Sequence, residues 1–210
     1  MIILIGSQKG GCGKSTIATN LAAVAAQNGC DVVLLDADSQ CTSATWATDR
    51  EESSATSVPC VQRVGNITST AKELATKYDL VIIDAGGRDS QELRTGLLAA
   101  DLVVSPFKPS QADLDTVFQL ADVIRQAQDF NTALTSVAVL TMSPTHPGNT
   151  EIQVSKDYLS EHMTVLDCLL YDRKAYRDAL SMGLGVIECN DKKAQQEITE
   201  LYKAVTNAKK

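Results

Sequence analysis

The chain has 210 residues, of which 44% are hydrophobic and 21% charged, and its formal net charge is −7. This length is enough for one domain with a large core, so we expect residues 1–210 to form a single domain. The acidic balance argues against a generally basic nucleic-acid-binding protein, although it allows a local basic patch.

Targeting signals and metal-binding cysteine patterns are not found in the sequence. No apolar run is long enough to span a bilayer, and the first residues have the composition of a core strand rather than of a signal peptide. The six cysteines lack C-x-x-C spacing and there are only two histidines, which argues against a zinc site. We therefore expect free thiols in a reducing cytoplasm and no membrane partner.

Apolar strands alternate with helical patterns along the whole chain. The predicted strands are 1–5, 31–36, a short one near Val61, 80–84, 102–104 closed by Pro106, 137–140 and 163–169. The predicted helices follow the first strand as far as Gly29 and then cover 68–76, 114–124 and 191–207, while the polar residues 49–57 are expected to be a linker. This order predicts an α/β three-layer sandwich with a mostly parallel twisted sheet, and together with the glycine-rich loop that follows the first strand it indicates the P-loop NTPase type.

The first strand runs directly into a glycine-rich loop that has the pattern of a phosphate cradle. Glycines let consecutive backbone N–H groups approach an anion, and the helix that follows directs its positive end at the ligand. Lys14 is the candidate for charge on the β- and γ-phosphates, and the Ser15 hydroxyl for a Mg²⁺ ligand. The expected nucleotide contacts are Gly10, Gly11, Cys12, Gly13, Lys14, Ser15 and Thr16.

The loop also carries a second lysine. The common pattern G-x-x-x-x-G-K-[ST] requires glycine where this chain has Gln8, and Lys9 follows it. One lysine is sufficient for a triphosphate within one subunit, so Lys9 on the outer limb is placed to reach a nucleotide in a neighbouring subunit. The alternative is a solvated surface lysine.

Three aspartates are expected at the same edge of the sheet as the loop. Asp36 and Asp38 follow the second strand and Asp84 ends a later one, and ligands of parallel sheets bind at the carboxyl ends of strands. We expect Asp36 and Asp84 near Mg²⁺, which prefers oxygen ligands and keeps several waters. Asp38 is the candidate that orients the attacking water. Alternatively, Asp36 and Asp38 only end the strand and cap the next helix.

These motifs together resemble a known family. Residues 9–16 are similar to the deviant Walker A box of the ParA/MinD superfamily, residues 36–40 to its D-x-D-P-Q box, and residues 80–84 to its Walker B strand. Residues 105–113 resemble the P-x-x-P-S-x-x-D segment of short plasmid-partition ParA proteins. The chain departs from the family pattern at Ser39, where proline is usual, and after Asp84, where Arg88 is a possible phosphate contact or a solvated loop residue.

The resemblance implies an ATPase that uses ATP and Mg²⁺ and dimerises face to face on ATP, with Lys9 reaching the partner's phosphates. It also implies non-specific DNA binding by the ATP dimer, release after hydrolysis stimulated by a ParB-like protein, and localisation on the nucleoid. The adenine pocket implied by the family lies at Thr141 and Met142 and near Pro109 and Asp113.

The candidates for DNA binding are clustered basic residues. Arg173, Lys174 and Arg177 lie within one and a half helical turns, and further lysines follow at 192, 193, 203, 209 and 210. Such basic residues are equally typical of a solvated helix face.

Other functions on the same scaffold remain open. A MinD-like or carboxysome-positioning ATPase is one, although residues 203–208 are too weakly apolar for a MinD-like membrane anchor. A metabolic enzyme of this fold is another, and a nucleotide-binding module without turnover is a third.

Overall fold

A computed structural model describes residues 1–87, 89–146 and 150–208 of the chain. Its strands are β1 (Ile2–Ile5), β2 (Val32–Ala37), β3 (Cys60–Gln62), β4 (Leu80–Ala85), β5 (Leu102–Phe107), β6 (Thr135–Ser143) and β7 (Thr164–Tyr171). Its helices are α1 (Lys14–Gln27), α2 (Thr42–Glu51), α3 (Thr68–Leu74), α4 (Gln91–Leu97), α5 (Gln111–Leu114), α6 (Val117–Gln128), α7 (Glu151–Ser160), α8 (Lys174–Ser181) and α9 (Lys192–Asn207), with a 3-10 turn at Val186–Glu188.

The strands form one sheet in the order β3-β2-β4-β1-β5-β6-β7, and every strand pair in it is parallel. Helices cover both faces. One face packs against α1, α2, α8 and α9, and the other against α3 to α7. Because both faces are buried, the central strands are continuous apolar runs rather than alternating ones. This confirms the predicted α/β sandwich. Within the described ranges, no helix combines the length and apolar character needed to cross a bilayer.

The sheet topology places a binding site at the end of β1. The chain leaves β1 towards β2 and β3 on one side, returns through β4, and then continues through β5 to β7 on the other side. Ligands of such sheets bind where the strand order reverses, beyond the carboxyl ends of the strands. In the register, Asp84 of β4 lies opposite Ile5 of β1 and Asp36 of β2, so two carboxylates meet beside the start of the glycine loop.

Two element boundaries differ from the predictions. Pro106 lies inside β5 instead of closing it, with Val139 of β6 as its partner. The strand tolerates proline there because Val104 and Pro106 direct their backbone groups to the β1 side, where β1 has already ended at Ile5. The predicted helix 114–124 is two helices, since α5 stops at Leu114 and α6 begins at Val117.

Four further helices, α2, α4, α7 and α8, were given no bounds by the sequence pattern, and α2 overlaps the predicted linker. Helix α2 is fixed by its contacts to residues 183–188, the 3-10 turn and the residues just before it. The fully buried Arg50 pairs bidentately with Glu188, at 2.6 and 2.9 Å, and donates to Gly183 O at 3.0 Å. Trp46 Nε1 donates to Leu184 O at 3.0 Å. These partners lie more than 130 positions away in the sequence, so local pattern could not reveal them.

We predict that Gly183→Ala destabilises the protein far more than Gly29→Ala. Both glycines have positive φ, +66° and +77°, which costs an alanine about 1–2 kcal/mol. A Cβ at Gly183 would also overlap the backbone of Asp49 and Arg50, whereas Gly29 faces open space. Displacing that backbone adds about 1–3 kcal/mol. Urea unfolding measures the free energy of unfolding of both variants, provided that their m-values are equal. Equal losses of stability in the two variants would contradict this account of α2.

Candidate functional site

The glycine loop connects β1 to α1 in the form of an anion cradle. Gly11 and Gly13 have φ values of +71° and +93°, and Gly13 is the residue from which α1 begins. Glycine adopts this left-handed conformation without steric cost, and it turns successive N–H groups towards one side. Lys14 is buried, and its Nζ donates to Lys9 O at 3.1 Å. The loop is therefore already closed around the position of its main cation.

Cys12 and Thr141 support the loop from behind. Cys12 Sγ lies 2.9 Å from Ser7 Oγ and donates to Lys9 O at 3.3 Å. Thr141 Oγ1 donates to Cys12 O at 2.8 Å. Burial raises the pKa of the Cys12 thiol, which makes it a poor nucleophile. Both side chains thus hold the backbone of the cradle, and any contact of Thr141 with a base stays a prediction.

An open cleft above the loop contains the remaining phosphate-side groups. Lys14, Asp38, Gln40, Thr42 and Gly87 line it together with the loop glycines. A Cβ on Gly87 would lie 3.3 Å from both Gly10 N and Lys14 Nζ, so the segment after β4 closely approaches the cradle. Arg88, the possible phosphate contact, lies outside the described residues.

Asp84 is the fully buried carboxylate of the site. Its Oδ2 accepts a hydrogen bond from Ser43 Oγ at 2.7 Å, while Oδ1 has no hydrogen-bond partner in the described parts of the chain. Burial raises the pKa of Asp84 from 3.8 to about 6, and the Ser15 and Ser43 hydroxyls and the Lys14 ammonium oppose this rise. A buried oxygen without a partner is costly, and a cation would satisfy it.

Asp36 is also buried, but backbone groups occupy both of its oxygens. Oδ1 accepts from Asp38 N at 3.0 Å, and Oδ2 accepts from Ala44 N in the first turn of α2 at 2.8 Å. Burial raises the pKa of Asp36, and these backbone hydrogen bonds oppose the shift. The carboxylate thus caps α2, as the alternative interpretation of the sequence expected, and its contact with a metal stays a prediction.

Asp38 differs from Asp36 in being partly exposed to the cleft. Its Oδ1 accepts from Gln40 N at 3.0 Å, and its backbone carbonyl accepts from Cys41 N at 2.9 Å in a tight turn. A Cβ on Gly86 would lie 3.7–3.8 Å from the carboxyl atoms of Asp38. The other oxygen, Oδ2, accepts no hydrogen bond from the described part of the chain, and it lies beside the phosphate cleft, where a water-orienting carboxylate is required.

The donor set fits Mg²⁺ in a nucleotide complex. No three His, Cys, Asp or Glu side chains among the described residues cluster as a metal-binding group. The cation would therefore take Ser15 Oγ, waters and phosphate oxygens, with Asp84 Oδ1 beside it. Mg²⁺ is usually bound in this way, by one or two protein oxygens and a substrate phosphate.

A second, more apolar pocket adjoins the loop on the side of Thr16. Met142, Leu170, Tyr171 and Tyr176 contribute to its walls, and Gly13 borders it. Met142 has a φ of +49° and is 38% exposed, so it sits at the rim between this pocket and the phosphate cleft. The pocket suits a planar base. Met142 was predicted at the base pocket, whereas Leu170, Tyr171 and Tyr176 were not. These three residues come near the loop only because β7 pairs with β6.

The structure places Pro109 in the turn after β5 and Asp113 in α5. Asp113 is buried and accepts from Ser110 Oγ at 3.1 Å and Lys108 N at 3.5 Å, so it orders the turn before α5. Neither residue lines the apolar pocket. Lys108 was not predicted as a site residue, yet its Nζ would be 3.9 Å from a Cβ on Gly11. The signal available in the sequence was a lysine directly after β5, the strand that pairs with β1.

The three DNA-binding candidates are all engaged by carboxylates. Arg173 is largely buried and pairs with Glu197 at 2.6 Å. On α8, Lys174 pairs with Asp178 at 2.8 Å and Arg177 with Asp172 at 2.6 Å. Arg173 and Arg177 also border the apolar pocket. Lys192, Lys193 and Lys203 lie exposed on α9, whereas Lys209 and Lys210 lie outside the described residues.

We predict that Asp84→Asn stabilises the metal-free protein at high pH. Because the folded-state pKa of Asp84 is raised, its contribution to stability is full below about pH 4 and is lost as the pH rises through 6. Asparagine does not ionise, so the variant should gain about 1–3 kcal/mol over the wild type between pH 4.5 and pH 8. Urea unfolding in EDTA at both pH values measures the difference. A difference in the free energy of unfolding that does not change with pH would contradict the description of Asp84 as a buried carboxylate with a raised pKa.

Comparisons with known proteins agree with this geometry. Residues 3–186 match the family model of the CobQ/CobB/MinD/ParA nucleotide binding domain. A ParA protein from Rhizobium radiobacter is 25% identical over 184 residues, covering 87% of this chain and 83% of that protein. The maintenance of carboxysome distribution protein A from Halothiobacillus neapolitanus is 27% identical over 208 residues, covering 97% and 95%.

Solved structures give the same fold. The septum site-determining protein MinD from Pyrococcus horikoshii, complexed with Mg-ADP, superposes with a TM-score of 0.74 at 19% identity over 99% of this chain and 96% of that one. Because the family model spans both the glycine loop and all seven strands, the chain belongs to the CobQ/CobB/MinD/ParA nucleotide-binding family.

Proposed function

We propose that this protein is an ATP- and Mg²⁺-dependent partition or positioning ATPase that cycles between a monomer and an ATP-bound dimer. Its class as a nucleotide-binding ATPase follows from its membership of the ParA/MinD family. The observation that carries the proposal is Asp84 Oδ1, which is buried beside the cradle and accepts no hydrogen bond from the residues that the structure describes. We take residues 1–210 as one ATPase domain.

Nucleotide binding uses the two neighbouring pockets. The backbone N–H groups of Gly10 to Ser15 surround the phosphates, and Lys14 transfers its hydrogen bond from Lys9 O to a phosphate oxygen. The base occupies the apolar pocket, with Met142 against its face. Ser15 and Asp84 hold Mg²⁺, while Asp36 shapes the site through α2. When bound, Mg²⁺ neutralises charge that develops on the phosphates.

Hydrolysis requires a positioned water rather than covalent chemistry. Asp38 is the carboxylate at the open side of the phosphate cleft, and Gln40 N fixes one of its oxygens. Its other oxygen orients water towards the γ-phosphate. The glycines at 86 and 87 allow the backbone after β4 to approach the same position.

Lys9 is the proposed contact across the dimer. It is half-buried on the outer limb of the loop and pairs with no carboxylate among the described residues. Its backbone carbonyl accepts the hydrogen bond from Lys14 Nζ, so the Lys9 backbone is held by the loop. A free cation on this rim would gain most from the phosphates of a facing copy.

Three substitutions separate these roles. Lys14→Ala should abolish ATP binding because the cradle loses its buried cation. Lys9→Ala should bind ATP with an affinity within about threefold of that of the wild type yet remain monomeric, because it lacks the ammonium group that would contact the partner's phosphates. Asp38→Ala should dimerise with ATP but lose about a hundredfold or more in turnover. Nucleotide titration, light scattering and phosphate release measure the three properties.

The matched control is Lys72→Ala, an exposed lysine of α3 outside both pockets, which should change none of the three properties. ATP-dependent dimers formed by Lys9→Ala would refute the role of Lys9. Normal turnover by Asp38→Ala would remove it from the reaction.

The cargo is proposed from relatives and charge together. ParA-like function implies non-specific DNA binding by the dimer on the nucleoid in the cytoplasm, and stimulation by a ParB-like protein. The 27% identity to a carboxysome-distribution protein supports positioning of another cargo as the second candidate. A metabolic enzyme of this fold would instead need an added small molecule for turnover.

For DNA binding, we predict that the double variant Lys174→Gln/Arg177→Gln lowers affinity and salt dependence. Both side chains are exposed in ion pairs that DNA phosphate can replace, whereas Arg173 is held by Glu197. A dimer loses four cations, so the slope of log K against log salt should fall by about 3–4. Filter binding with ATP at several salt concentrations measures this slope.

The control for that measurement is Lys77→Gln. Lys77 lies just after α3 and, like Lys174, pairs with a carboxylate four positions away, that of Glu73. This variant should leave the slope unchanged. DNA retention that does not depend on ATP, or equal slopes in both variants, would contradict DNA binding through α8.

A further inference from the structure

We propose that Ser43 is a positioning residue for the magnesium site, which it serves by fixing the orientation of the Asp84 carboxylate. The proposal rests on the proposed function in that Asp84 is the acidic partner of Mg²⁺. It adds a residue outside the motifs that the sequence singled out.

The hydrogen bond between these side chains is short and fully buried. Ser43 Oγ donates to Asp84 Oδ2 at 2.7 Å, and neither side chain is exposed to solvent. This bond selects which carboxylate oxygen stays free, because within residues 1–87, 89–146 and 150–208 Oδ1 is then the one without a hydrogen-bond partner. Ser43 thus decides which oxygen faces the cation.

Without that hydroxyl, Asp84 would be poorly determined. The terminal torsion of aspartate is broad and roughly twofold, so packing alone does not fix it. Removing the donor would also take away a buried hydrogen bond of the carboxylate, which would then depend on the nearby Ser15 hydroxyl and Lys14 ammonium. Groups that orient a metal's carboxylate partner in this way typically contribute 10- to 100-fold to metal affinity.

The hydroxyl itself is held by a helix anchored at both ends. At its start, Ala44 N, next to Ser43, donates to Asp36 Oδ2 at 2.8 Å. At its end, Arg50 is bidentate to Glu188 with its guanidinium 4.9 Å from the Trp46 ring. Ser43 therefore cannot follow Asp84 to a new position, and the geometry is imposed on the carboxylate by α2.

The same helix links the metal side of the site to the hydrolytic side. The turn from Asp38 O to Cys41 N immediately precedes α2. Ser43 and Asp38 are thus carried by one continuous segment of backbone. Mg²⁺ binding and water positioning share this support.

The test compares Ser43→Ala in the full chain with Thr48→Ala, whose exposed hydroxyl donates to Ala44 O in the same helix. With a fluorescent ATP analogue bound, Ser43→Ala should require about tenfold more Mg²⁺ or Mn²⁺ for half-saturation. Its affinity for the analogue in EDTA should stay within twofold of the wild type. Thr48→Ala should match the wild type in both, and Ser43→Thr should restore metal affinity through its hydroxyl.

Asp84→Asn distinguishes the two levels of the proposal. If Asp84→Asn weakens metal binding and Ser43→Ala does not, Ser43 is not a positioning residue although the site stands. If Asp84→Asn leaves metal affinity unchanged, the proposed magnesium site itself is wrong. Equal losses of analogue affinity in EDTA and in Mg²⁺ for Ser43→Ala would indicate a general packing defect and overturn the inference.

Discussion

The structure around the nucleotide site depends on burying the carboxylate of Asp84 at the end of a central strand. A buried charge destabilises a fold unless partners compensate it. Here Ser43 compensates one oxygen, Lys14 lies close enough to lower the pKa, and the other oxygen is left for a cation. Positions that favour folding alone would hold an apolar residue, so this cost points to ligand binding.

The sheet and α2 together turn that constraint into a site. Parallel register brings Asp36 and Asp84 side by side at the end of β1, where the glycine loop begins. Asp36 then organises the first turn of α2 instead of remaining free. The proposed metal, phosphate and water positions therefore adjoin neighbouring backbone segments, while the side chains of Asp38 and Lys9 are only partly buried.

Much of this could be predicted from sequence because the signals are local. Buried parallel strands are apolar runs, and the glycine loop carries its own conformational requirements at Gly11 and Gly13. The extent and the anchoring of helix α2 could not be predicted, since its apolar face is little more than Trp46 and its anchor, Glu188, is 138 positions from Arg50. The base pocket likewise needs β7 beside β6. The ion pair between Arg173 and Glu197 is equally non-local, and it engages an arginine that the sequence had suggested as part of a basic patch.

The central claim is that Lys9 acts in trans on a nucleotide held by the partner's Asp84 and Lys14 site. A crystal structure of the protein with Mg²⁺ and a non-hydrolysable ATP analogue tests it most directly. The account predicts two chains facing each other, with each Lys9 ammonium within hydrogen-bond distance of the other chain's phosphates. A nucleotide-loaded structure in which Lys9 points into solvent, with no opposing copy, would contradict it.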